Sequence, residues 1–177
     1  VVYAIACAHH WVREARHATL VLMRTPLDDC YVEELEAIPA SCYYHLLQHR
    51  KAMGALAQTL ALDHMIPYSN ADQGLTSGIL PDQRFVWVSC TGCTAYTLPR
   101  AFCNPWGLRN WWCEWLLQVA KLLNGVPCGQ TVLDRQAMRC ALKNAATCKT
   151  CGPIAAFHLQ QFSQSLSAKV DAMLVDE

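Results

Sequence analysis

Two Cys-x-x-Cys pairs, Cys90-Thr91-Gly92-Cys93 and Cys148-Lys149-Thr150-Cys151, constrain this chain more than any other feature. Two residues between cysteines let both sulfurs reach one ion, and zinc holds four thiolates tetrahedrally at about 2.3 Å. Cys90, Cys93, Cys148 and Cys151 are therefore expected to form one structural zinc site. Gly92 helps the first pair turn so that backbone amides point at the sulfurs. The second pair lies where a helix is expected to end, just before the breaker Gly152-Pro153, and Lys149 offsets part of the thiolate charge. Residues 94–147 separate the pairs, far more than the roughly 15–20 residues of a zinc ribbon. The site is then a clamp tying a hairpin to the junction of two later helices, not an autonomous finger. Two other readings stay open. Either pair could be a redox dithiol, although neither has the βαβ setting and helix N-terminus such pairs favour. The four could also be buried thiols without a metal.

Around these pairs the pattern is helical, and the expected fold class is mainly α: a helical bundle with a small β-hairpin zinc knuckle. Residues 1–24 show helical spacing with no Gly or Pro before Pro26, and His9-His10-Trp11 marks a bend between two shorter helices. A short helix at 30–37 follows, with Asp28 or Asp29 able to cap it. A long helix runs from Pro39 to about Leu62, weakened locally by Gly54. Residues 63–82 read as a linker or loop between an N-terminal helical part (1–62) and a zinc-clamped part (83–177). Arg84 to Val88 reads as a strand, which the turn at Cys90–Cys93 and a second strand at Thr94–Leu98 would make into the hairpin. Further helices are expected over 108–124, over 131–146 with Thr131 as cap, and over 153–175. Ile154, Phe157, Phe162, Leu166, Val170 and Leu174 form the inner side of the last one.

The tryptophans of the 108–124 helix are candidate partner-binding residues. Trp111, Trp112 and Trp115 cannot all face one stripe, so at least one is expected to be exposed. With Trp106 they would serve as interface anchors, aromatic side chains being favoured there. The alternative is that all pack in the core around zinc.

Charge narrows the function classes. Charged residues make up only 16% of the 177, with 53% hydrophobic, so an apolar patch covered by a partner or by missing chain is expected. Formal net charge is zero, which leaves no electrostatic footprint for nucleic acid. No apolar run reaches the roughly 18–20 residues needed to span a bilayer. Eleven cysteines, an odd number, argue against a secreted disulfide framework and for an intracellular location in the cytoplasm or nucleus. Cys7, Cys42, Cys113 and Cys140 then read as buried thiols. Cys103, Cys113, Cys128 and Cys140 could form a second metal site, but their spacing is irregular and buried cysteines are the preferred reading. The sequence starts with Val rather than Met and without a basic leader, so a longer or processed parent chain is expected.

Catalytic patterns do not emerge. Four thiolates leave a metal no open coordination position. No His-x-Glu of the zinc deaminases, His-Glu-x-x-His, phosphate loop, dinucleotide fingerprint or Gly-x-Ser-x-Gly occurs. Cys7 with His9 suggests a thiol–imidazole pair, against which structural histidines are the commoner outcome. His158 is a substitute ligand candidate that reads better as a helix-surface histidine.

Several stretches resemble a known family. Val2-Tyr3-Ala4-Ile5-Ala6-Cys7 and Trp11-Val12-Arg13-Glu14-Ala15-Arg16-His17-Ala18-Thr19-Leu20 look like a segment of basidiomycete fungal BTB/POZ-domain proteins. Glu34-Leu35 and Tyr44-His45-Leu46-Leu47-Gln48-His49-Arg50 do too. The resemblance implies that the first stretch closes a BTB fold. A helical region, a Cys-x-x-Cys, a tryptophan-containing helix and a second Cys-x-x-Cys would follow. It also implies a protein-interaction adaptor or scaffold rather than an enzyme, with a protein partner or self-association. The strand-rich first part of a BTB domain is missing from this sequence, so dimerisation and ligase binding carry over to no residue. The rival functions are a zinc-dependent nucleic-acid-binding or transcription-related module and a Cys/His enzyme.

Overall fold

The computed structural model describes residues 1–26, 32–65, 85–97 and 107–176. Eight α-helices lie among them: α1 (Val2–Ala8), α2 (Val12–Leu22), α3 (Ala40–Leu62), α4 (Val86–Ser89), α5 (Asn110–Gly125), α6 (Gly129–Val132), α7 (Arg135–Ala145) and α8 (Ala155–Asp176). Two short 3-10 turns, Glu33–Ala37 and Asp63–Met65, accompany them. The protein is mainly helical, as the periodicity requires.

The bend expected at His9–Trp11 separates α1 from α2. His10 adopts φ 57, one of the few side chains that tolerate the left-handed region, and the Trp11 amide donates to the Ala6 carbonyl at 2.8 Å. Pro39 stands just ahead of α3, where its missing N–H costs nothing. Gly54 in α3 has a positive role. A side chain there would collide with the Asn124 carbonyl, so glycine lets α3 pass close against the end of α5.

α5 is the centre of the molecule. It packs on α3 at one side and on α7 at the other, while α8 lies against α3, α6 and α7. Trp111, Trp112, Cys113, Trp115, Leu116, Val119, Ala120 and Leu123 of α5 are all buried. Leu159, Phe162, Leu166 and Val170 of α8 meet them, along with Ala137, Ala141 and Ala145 of α7. A second, smaller cluster joins Met23, Leu46, Met53, Cys128 and Leu174 beneath the N-terminal helices. Arg50 ties the two regions together. Its guanidinium donates to the Leu22 and Thr25 carbonyls at 2.7 Å each and to the Gly125 carbonyl at 2.8 Å.

Several expectations need correction. Among the described residues no β-hairpin forms: Val86–Ser89 is one helical turn, and the only β pairing there is an isolated bridge between Ala95 and Arg109. Rings decide this. Trp87 lies stacked between Phe85 (centroids 4.5 Å) and Trp112 (5.3 Å), a contact that no extended partner strand could replace. The helix expected over 131–146 is two helices. The Thr131 hydroxyl donates to the Val126 carbonyl, and the cap is Asp134, whose carboxylate accepts from the Ala137 amide at 2.7 Å. Ile154, just ahead of α8, and Phe157 on it are exposed, and the inner row is Leu159, Phe162, Leu166, Val170 and Leu174. Most of the expected linker, and the caps Asp28 and Asp29, lie outside the described residues.

Candidate metal centre

Two turns bring the four cysteines together. Cys90 follows α4 in an extended conformation, and Cys93 closes the turn after it. Cys148 sits just beyond α7, its amide bonded to the Ala145 carbonyl at 3.1 Å. Cys151 leads into α8, its carbonyl accepting from the Ala155 amide at 2.8 Å. Helix-terminal hydrogen bonds therefore fix the second pair, and the aromatic stack under α4 fixes the first.

The Sγ atoms of Cys90, Cys93, Cys148 and Cys151 all lie within 4.8 Å of one another, and together they could hold one metal ion. Sulfurs of different pairs approach closely: Cys90 to Cys148 at 3.7 Å and Cys93 to Cys151 at 3.5 Å. The Gly92 amide donates to the Cys90 sulfur at 3.3 Å, the amide–sulfur contact expected of this turn. Cys90 and Cys151 are fully buried, whereas Cys93 and Cys148 are partly open.

The surroundings pull the thiols apart in acidity. Amide N–H groups of Cys151 and Thr150, with the Cys93 thiol, hold Cys148 down at about 6. Burial pushes Cys151 up to about 11, and burial with neighbouring thiols raises Cys93 as well. Thiols this close cannot all ionise unless a cation offsets their repulsion, which is what a bound divalent ion supplies.

Beside the open sulfurs lies a recess of about 380 Å³, walled by Cys93, Cys148, Trp111, Glu114, Asn144 and Thr147 among others. The Glu114 carboxylate accepts from Asn110 Nδ2 at 2.6 Å and from Asn144 Nδ2 at 3.5 Å. Sequence reasoning missed this recess, because its walls come from the first cysteine turn, α5 and the end of α7. Arg50 was missed too. Nothing in the sequence around it signals burial.

The other candidates fall in different places. Trp111, Trp112 and Trp115 are only 4%, 1% and 2% exposed, so the expectation that one faces solvent is not met. Phe162 packs edge-on against both Trp112 and Trp115, and Trp87 edge-on against Trp111, so α8 and α4 together cover all three. Trp106 and Cys103 lie outside the described residues. His158 is no ligand; its Nδ1 accepts from the Val86 amide at 3.0 Å and so caps α4. Cys113 and Cys128 are buried, Cys7 and Cys42 only half so, and Cys140 is exposed, which corrects the expectation of burial for three of them. Among the described residues no second metal-ligating cluster forms. His9 stacks on Trp11 instead of pairing with Cys7. No described helix is long and apolar enough to cross a membrane. Comparison with family models, with curated proteins and with solved structures finds no match to this chain.

Proposed function

We propose that the chain is a non-enzymatic protein-interaction module, an adaptor or scaffold, whose second half is locked by a structural zinc ion on Cys90, Cys93, Cys148 and Cys151. The observation that carries this reading is the closed set of four sulfurs. Zinc–sulfur bonds of about 2.3 Å in a tetrahedron set sulfurs about 3.8 Å apart. The approaches of 3.5 and 3.7 Å match that spacing. Soft thiolates in this geometry select zinc or iron over harder ions. A fourth thiolate occupies the position that a catalytic zinc would keep for water or substrate.

The interaction half of the reading is supported by the N-terminal helices. Val2, Val12 and Val21 there are 65%, 78% and 57% exposed, and Tyr44 of α3 is 60% exposed; these are apolar side chains of the kind a partner covers, and Val2 and Val21 border one recess. The resemblance to fungal BTB/POZ-domain proteins extends the reading to adaptors of that type, and the free thiols suit an intracellular, reducing setting. Zero net charge disfavours the nucleic-acid alternative.

Metal content measured by mass spectrometry on the purified wild type, Cys90→Ser and Cys148→Ser tests the centre. The expected result is one zinc per wild-type chain, lost with helical signal in both variants. Iron in place of zinc, or metal retained when either pair is broken, would overturn the shared zinc site. Sedimentation of the wild type against a Val12→Ser/Tyr44→Ser double variant tests whether the exposed surface drives self-association.

A further inference from the structure

The four thiols differ in access, and the difference is ordered. Cys93 and Cys148 border the recess, while Cys90 and Cys151 have no exposed surface. Each open sulfur has a buried sulfur of the other pair as its close neighbour: Cys148 with Cys90 at 3.7 Å, Cys93 with Cys151 at 3.5 Å.

We propose that the centre is a peroxide oxidation site, in which Cys93 and Cys148 react first and two disulfides, Cys90–Cys148 and Cys93–Cys151, take over the clamp from the metal. A recess-side thiolate attacks the peroxide O–O bond. One oxygen stays on sulfur as a sulfenic acid, and the other leaves as hydroxide. The buried neighbour, as thiolate, then attacks the sulfenic sulfur, forms the S–S bond and expels a second hydroxide. Two peroxides are reduced and four thiolates oxidised, giving two disulfides, four hydroxides and a free metal ion. Both disulfides run between the pairs, so the end of α4 stays tied to the α7–α8 junction. Closure within each Cys-x-x-Cys would instead release it. The proposal rests on the zinc reading only for the ion that leaves; the pairing is a property of the thiols.

The test starts from zinc-loaded chain of measured stoichiometry. Hydrogen peroxide is added in steps, zinc release is followed with a chromogenic chelator, and remaining thiols are alkylated. Linked peptides are then mapped by mass spectrometry without reduction. Peptides joining Cys90 to Cys148 and Cys93 to Cys151 are expected as the main products, appearing in step with zinc release while the helical signal is kept. Main products joining Cys90 to Cys93 and Cys148 to Cys151 would overturn the proposal. So would oxidation confined to Cys140, Cys7 or Cys42 with zinc retained. A chain that binds no zinc would defeat the metal reading alone, because the same map on the reduced, metal-free protein still decides the pairing. Thr147→Trp, placed on an exposed position of the recess wall, should slow zinc release several-fold at unchanged zinc content. An unchanged rate would exclude the recess as the route of attack.

Discussion

α2 and α7 have the same length, eleven residues, and very different surroundings. α7 is capped by Asp134, buries Ala137, Ala141 and Ala145, and ends beside the cysteine centre. α2 has no side-chain cap, buries Ala18 alone and leaves Val12 and Val21 in solvent. Isolated helices of this length are marginal in water, so each needs tertiary support. α7 finds it in the core and beside the cysteine centre. α2 has α1 beside it, Arg50 at its end, and Leu20 and Leu22 resting on the small cluster of Met23, Leu46, Met53 and Leu174. The difference sets the well-buried helices near the thiols apart from an N-terminal pair that leaves more apolar surface in solvent.

Metal removal should break this contrast most strongly. Structural zinc contributes on the order of 10 kcal/mol to folding in zinc-finger peptides. Chelation, or Cys148→Ser, is expected to abolish amide-exchange protection over 86–96 and 135–160 and to leave 2–22 little changed. Equal loss in both regions would merge them into one unit.

Tryptophan substitutions sharpen it next. Trp112 is fully buried and Trp11 is 52% exposed. Trp112→Ala should cost about 3–5 kcal/mol in urea unfolding, whereas Trp11→Ala should stay within about 0.5 kcal/mol. Arg50→Met removes a charged donor from three carbonyls and should cost about 3 kcal/mol. It should also split one thermal transition into two, since the two regions then lose their shared donor.

A pH effect of about 3 kcal/mol is expected from His64, which packs edge-on to Phe162. Burial, with the nearby Lys169, lowers this imidazole from 6.5 to about 4. The unfolded chain therefore takes up the proton first, and the stabilisation present above pH 6.5 is lost as pH falls toward 4. Subtracting the pH profile of His64→Leu isolates this loss from thiolate protonation. A smaller loss is expected of Asp134→Ala, about 1 kcal/mol from one lost helix cap, read as a lowered urea midpoint.

The cysteine spacing made the centre legible because ligand geometry is local and every ligand lies in a short motif. Long helices were legible for a similar reason: Leu46, Met53 and Leu60 in α3, and Leu116, Val119 and Leu123 in α5, repeat at a period that no strand shares. Phe85-Val86-Trp87-Val88 was not, since four apolar residues fit a strand or a helical turn equally well. The ring stack with Trp112 chose between them, and that contact joins residues far apart in sequence. The exposure of the α5 tryptophans failed for the same reason. Whether Trp111, Trp112 and Trp115 can share one interior depends on Phe162 in α8, which no pattern within α5 reveals. Asp134 was a missed local signal, a cap residue three positions before Ala137 that was masked by the apparent continuity of the stretch from Thr131.

Arg50 has one more consequence. The carbonyl end of a helix carries a partial negative charge of roughly half an electron. The ends of α2 and α5 converge on a single guanidinium, through Leu22 and Gly125. Without that cation, two like poles would face each other across the boundary between the regions. The residue is therefore a counter-ion as well as a donor. A planar fork reaches several carbonyls at once, so Lys in its place would keep the charge and lose the geometry.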